Sequence, residues 1–321
     1  MKNVIQMICF CFVFAAMPIN AAEFKVIGDM RASKAAFKLE ELGDNEAATE
    51  LRYTLEHVKV DPDFKHTIWI WSKKPKAYQH TFHAYGYISP EKTLAPSPVD
   101  VIDAGFIQPD TSMANSKVKV TLDRLRVFDY PGRGVHHVLF DFFAQHQTTN
   151  AEEDIHFGQI YRAQEGEGAG ITGYPVFIGL KVSPEGVKFR CRTINVKNED
   201  DERFLSFLNG DTFKNGLKLL ESSNPLSPVV TEFATGIATS IAERNKNVAV
   251  QDFDMGLDFS KIKTRAKLRE GSYIAVQAPD VGWNWSKWQF DPQKGQVVSK
   301  TDRTKTIELN YVVFSISKMT E

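Results

Sequence analysis

The chain has 321 residues, with 39 lysines and arginines against 40 aspartates and glutamates, a formal net charge of −1. So even a balance creates no global field toward nucleic acid or an anionic membrane, and nucleic acid is not expected as a partner. With 42% hydrophobic and 12% aromatic residues the composition excludes a disordered chain, and the length suits one large or two modest domains.

Met1-Lys2-Asn3 is a short, weakly positive start, and Val4 to Met17 is apolar except for Gln6. Pro18-Ile19-Asn20-Ala21-Ala22 then offers small residues for cleavage after Ala21 or Ala22. This is the layout of a secretory signal peptide over residues 1–22, with a retained N-terminal anchor as the alternative. The apolar run is short for a membrane span. The expected location is therefore secreted or periplasmic, where NAD and ATP are rarely met, so no nucleotide cofactor is expected. Cys9 and Cys11 leave with the signal and lack the small residues of a lipoprotein cleavage site. Cys191 remains alone, so no intrachain disulfide forms, and a core of this size manages without one.

Residues 23–110 read as a small α/β region. Ala36, Leu39 and Leu42 repeat at helical spacing, as do Ala47, Leu51, Leu55 and Val58, with Gly43-Asp44-Asn45 breaking the pattern and capping the second helix. Two aromatic strands follow, Thr67 to Trp71 and His80 to Ile88. Pro90, Pro96, Pro98 and Pro109 mark residues 90–116 as a linker or long connection.

Residues 111–321 change character. Val118 to Phe128 and Val135 to His146 read as a β-hairpin across the turn Asp129-Tyr130-Pro131-Gly132-Arg133-Gly134. Ile155 to Ala163, Tyr174 to Val182 and Val187 to Val196 supply further strands. Helices are expected near 201–221 and 228–244, each with one apolar stripe. Strands resume at Val248 to Phe253, Ser272 to Gln277, Trp288 to Phe290, Gln296 to Ser299 and Tyr311 to Ser317. The expected fold is α+β, mainly β: an antiparallel β-sandwich with two inserted helices, preceded by the α/β region.

Gly168, Gly170 and Gly173 spell G-x-G-x-x-G. A dinucleotide turn needs a helix after the glycines to hold the pyrophosphate. Here Tyr174 to Leu180 is β-branched and aromatic, and Glu165 and Glu167 put negative charge where phosphate would sit. The stretch reads as a loop between two strands.

Asp252, Asp254 and Asp258 form the most concentrated acidic cluster. Alternate carboxylates at a strand end suit Ca²⁺, which takes six to eight oxygen ligands. The pattern has a loose likeness to the calcium loops of C2 β-sandwiches. Such a site would need ligands from a second loop, from Asp129 or from Glu199-Asp200-Asp201-Glu202; the alternative is solvated loop charge. His80-x-x-His83 on a strand sends its rings to opposite faces, as does His136-His137. No H-E-x-x-H and no G-x-S-x-G occurs. Asp141, inside an apolar strand, is the one acid that reads as buried. Cys191 shares a face with Val187 and Phe189, as a packing thiol would.

Three of the five tryptophans, Trp283, Trp285 and Trp288, lie within six residues beside Lys287. Exposed indoles with a lysine suit a protein partner, a glycan or a lipid surface; the alternative is that the rings fold inward and lid the sandwich. The expectation is an exported, non-catalytic binding protein using this loop, with Ca²⁺ as a candidate aid. A membrane-active or toxin-like protein comes second and a secreted glycan or peptide hydrolase third.

Overall fold

The computed structural model describes residues 24–57, 75–147, 152–197, 241–243, 246–262 and 266–320. The expected signal segment, the strand Thr67 to Trp71, the helix near 201–221 and that near 228–244 except residues 241–243 lie outside the described residues. So does Glu199-Asp200-Asp201-Glu202.

Two helices come first, α1 (Ala32–Glu41) and α2 (Asn45–His57). They turn at Gly43, whose φ of 79° suits a residue without Cβ. Asp44 then accepts a hydrogen bond from the Ala47 amide at 3.4 Å, as a cap should. Both helices bury their small apolar faces, Ala32, Ala35, Ala36 and Leu39 on α1 and Ala47, Ala48 and Leu51 on α2. A short α3 (Pro90–Thr93) follows the first strand.

The strands are β1 (Phe82–Ile88), β2 (Val99–Asp100), β3 (Ile102–Asp103), β4 (Lys117–Val127), β5 (Val135–Gln147), β6 (Glu152–Gln164), β7 (Glu167–Gly168) and β8 (Tyr174–Lys181). After these come β9 (Gly186–Val196), β10 (Asn247–Asp258), β11 (Ala266–Lys267), β12 (Gly271–Ala278), β13 (Trp288–Asp291), β14 (Gln296–Ser299) and β15 (Tyr311–Lys318). They form three sheets. One runs β3-β1-β12-β15-β4-β7, with β8 also on β4; the second runs β11-β10-β9-β5-β6; the third runs β14-β13-β2. The named strands pair antiparallel except β10 with β11.

The first two sheets face each other as a sandwich. Period-2 alternation supplies the core between them: Val187, Phe189 and Cys191 from β9 meet Phe140 and Phe142 from β5, and Val312, Phe314 and Ile316 from β15 face them. Phe142 stacks on Phe189 at 5.5 Å and on Phe177 at 5.8 Å. The α1–α2 pair joins the same apolar cluster. It rests against the β4–β5 connection, where a Cβ on Gly132 would come within 2.8 Å of the Leu42 carbonyl oxygen.

Strands from both sides of residue 110 share one sheet, since β1 pairs with β12 along its whole length. The expected hairpin of β4 with β5 does not form: β4 belongs to the first sheet and β5 to the second. The connection between them crosses the sandwich instead. Asn310 captures it, accepting from the Phe128 and Asp129 amides at 2.9 and 3.0 Å. Tyr130 fixes its other side through a hydrogen bond to Thr193 at 2.7 Å. The hairpin partner of β5 is β6, paired in register from Val135↔Gln164 to Gln147↔Glu152.

The third sheet makes a further layer on the outer face of the first. Ile274, Val276 and Val313 point outward there and meet Trp285, Phe290 and Val297. The central strand β12 is consequently buried along both faces.

Candidate functional site

The tryptophans hold that outer layer in place. Trp285 is 4% exposed and packs on Gly86, whose Cβ, if present, would lie 2.9 Å from the indole. Trp283 and Trp288 are half-buried and stack in parallel at 5.7 Å, with Trp285 edge-on to Trp283 at 5.6 Å. Lys287 is exposed. Of the two orientations the sequence leaves open, the inward one holds for Trp285, while Trp283 and Trp288 keep part of their surface exposed. The reason is the apolar outer face of β12 and β15, which a second layer has to cover.

The three aspartates do not converge. All lie on β10, and six residues of strand separate Asp252 from Asp258 by about 20 Å. Arg190 serves two of them and Lys267 the third. Asp252 accepts two hydrogen bonds from Arg190, at 2.8 and 3.0 Å, Asp254 lies 3.8 Å from Arg190, and Asp258 accepts from the buried Lys267 at 3.3 Å. Asp129, the candidate second-loop ligand, accepts from the Ala77 amide at 3.1 Å. Among the described residues no group of three or more His, Cys, Asp or Glu is arranged to hold a metal. The likeness to C2 loops required loop carboxylates, and these are strand residues.

The outer face of the second sheet carries a buried polar row. Register places Asp141 of β5 beside Arg192 of β9, and Arg192 beside Asp252 of β10. His156 of β6 pairs with Asp141, which is 1% exposed. Arg192 is 3% exposed, sits 3.5 Å from Asp252 and lies under the Phe24 ring at 4.4 Å. Burial lowers its pKa from the ordinary arginine value. Cys191 points the other way, into the core, where burial raises its pKa well above the usual thiol value and leaves it no nucleophile at neutral pH. His83 is also in the core against Phe253, and burial brings it down to about 4.

An open concavity lies elsewhere. Where the third sheet stops short of the end of the first, a groove of about 600 Å³ remains. Its floor is the outer face of β4, β12 and β15, with Asp123, Ser272, Ser315 and Ser317. Phe290, Pro292, Gln293 and Gly295 form one wall, and Thr172 and Gly173 of the glycine-rich loop another. Asp123 reaches the floor because β4 bulges there. Arg124 faces Val313 and Leu122 faces Phe314, so Asp123 has no residue opposite it on β15. A bulge re-aims side chains, and here it turns two consecutive polar residues into the groove. Burial raises Asp123 to about 6, with a hydrogen bond from Ser315 and the charge of Lys119 opposing the rise. Beside it, the Arg124 guanidinium fits over Gly295, where a Cβ would lie 2.4 Å from it. Gly295 also has φ of 60°, so both space and backbone call for glycine.

No protein-family model, curated protein or solved structure matches this chain. Asp123 was not singled out from the sequence, although a signal exists. The buried apolar residues of β4 are Val118, Val120 and Leu122, then Leu125 and Val127. The alternation changes phase between Leu122 and Leu125, which is the mark of a bulge at Asp123-Arg124.

Proposed function

We propose that this chain is an exported, non-catalytic binding protein that takes its ligand in the groove beside the third sheet. Asp123 carries this reading. A β-bulge disrupts the ladder to aim a carboxyl into a cavity, and the surroundings oppose its ionisation. A group held in a cleft at the expense of stability marks a functional site. The groove volume falls in the range of small-molecule sites, about 300–1,000 Å³. Export rests on the leader-like residues 1–22. Calcium has no part in this reading, because the candidate carboxylates are engaged by Arg190 and Lys267.

The stability of an Asp123→Asn variant tests it. An aspartate whose folded pKa is raised binds its proton more tightly folded than unfolded, so stability falls as pH rises from about 4 to about 6. Above that window the cost is fully present. The partly exposed site halves the full value, leaving about 1–2 kcal/mol. Asp123→Asn should therefore melt a few degrees above wild type at pH 7.5 and coincide with it near pH 4. Asp129, also raised to about 6 by burial, acts in the same direction, while His83 and His136, lowered to about 4 by burial, act oppositely. The comparison is for this reason between variants at each pH, not along one profile. A variant no more stable than wild type at pH 7.5 would remove the argument. Sustained turnover of a glycoside or peptide, lost on Asp123→Asn, would overturn the non-catalytic assignment.

A second reading, action on lipid, draws on Val281, which is 83% exposed where the tryptophan segment begins. It predicts co-sedimentation with liposomes that Val281→Asp abolishes.

A further inference from the structure

We infer that the groove takes a neutral, hydroxyl-rich ligand, a short saccharide of two or three units, gripped by Asp123, Glu270 and Arg124 over a floor of serine hydroxyls. This rests on the binding function proposed above and names the ligand class.

The lining groups match such a ligand in kind. Thr172, Ser272 and Ser317 line the groove with hydroxyls, which both donate and accept, while Ser315 donates to Asp123 and Thr93 to the Pro90 carbonyl, so these two remain as acceptors. A ligand whose every polar atom is itself a hydroxyl can pair with both kinds. A carboxylate has several acceptor positions, so Asp123, which accepts from Ser315, and Glu270, whose Oε1 accepts from the Lys318 amide at 2.8 Å, each retain acceptor capacity for a ligand hydroxyl. Arg124 is the complementary donor, with no carboxylate partner among the described residues. Phe290, Pro90 and Pro292 add the apolar surface on which the C–H face of a sugar ring rests.

Charge selects within this chemistry. Two carboxyls against one guanidinium among the lining residues disfavour an anion, and Arg124 beside Asp123, with the charge of Lys119 also acting there, disfavours a polycation. A neutral ligand meets neither penalty. The floor residues stand on three adjacent hydrogen-bonded strands, β12, β15 and β4, so the hydroxyl array is preorganised.

Calorimetric titration of the chain with neutral trisaccharides of glucose, galactose, mannose and N-acetylglucosamine is the test, with trilysine and trialanine as comparison probes. The expected result is at least one trisaccharide with Kd of about 1 mM or tighter. Binding should weaken ten-fold or more in Glu270→Gln, with an unchanged melting profile, and in the double variant Ser315→Ala, Ser317→Ala, titrated well below its own melting midpoint. It should be unaffected by Lys287→Ala, outside the groove. Trilysine or trialanine binding that the groove variants weaken, with no trisaccharide bound, overturns the saccharide assignment and leaves the groove as a binding site. No binding by any probe up to about 10 mM, or binding indifferent to every groove variant, overturns both.

Discussion

Trp285→Ala should destabilise the fold by roughly 3–5 kcal/mol, the usual cost of removing a buried large aromatic. The ring is 4% exposed and fills the space between Gly86, Val101 and the outer face of β12. Its neighbours cannot collapse into the void, because Gly86 has no side chain and β1 and β12 are tied along their length. The loss also removes the edge contact that orients Trp283, and with it the Trp283–Trp288 stack. Trp285→Phe should cost much less. The indole Nε1–H is buried without a hydrogen-bond partner among the described residues, so phenylalanine keeps most of the apolar contact and discards an unsatisfied donor. Urea melts of the two variants separate the cases. A cost below about 1 kcal/mol for the alanine variant would mean that the indole does not anchor the third sheet.

Arg192→Ala should cost a similar amount, roughly 3–5 kcal/mol, through a different mechanism. Arg192 is the middle charge of a row spanning four adjacent strands, from His156 and Asp141 on β6 and β5 to Asp252 on β10. Removing it takes the neighbouring cation away from Asp141, a nearly inaccessible carboxylate, and opens the space under Phe24 and Phe143. Arg192→Met should recover part of the loss, because the long apolar side chain refills the aromatic sandwich while the charge stays absent. Denaturant midpoints of wild type and both variants apportion the two effects. Equal losses would assign the whole cost to charge, and a negligible loss for alanine would show that the row relaxes without its centre.

The groove was partly legible in the sequence. The phase change within β4 could have located the bulge, since a one-residue slip of an alternating pattern is a local signal. The residues that complete the site could not have been found that way. Ser272, Ser315, Phe290 and Thr172 come from four separate segments and carry no shared spacing. The polar row behaves similarly. Asp141 stands out as an acid in an apolar run, and His156 lies on its hairpin partner. Arg192 and Asp252 join only because β9 sits between β5 and β10.

By itself the sequence determined where most strands run and which faces they bury. Val187, Phe189 and Cys191 point one way and Arg190 and Arg192 the other for a reason internal to the strand, the two-residue period of an extended chain. It also determined that the glycine-rich stretch leads into a strand, since Tyr174 to Leu180 carries β-branched and aromatic residues throughout. Only the tertiary structure decided that β4 and β5 part company across the sandwich, that Trp285 turns inward, and that the aspartates of β10 pair with arginines and a lysine. Those outcomes depend on which strands become neighbours and which apolar faces remain to be covered, and residues far apart in the chain settle both together.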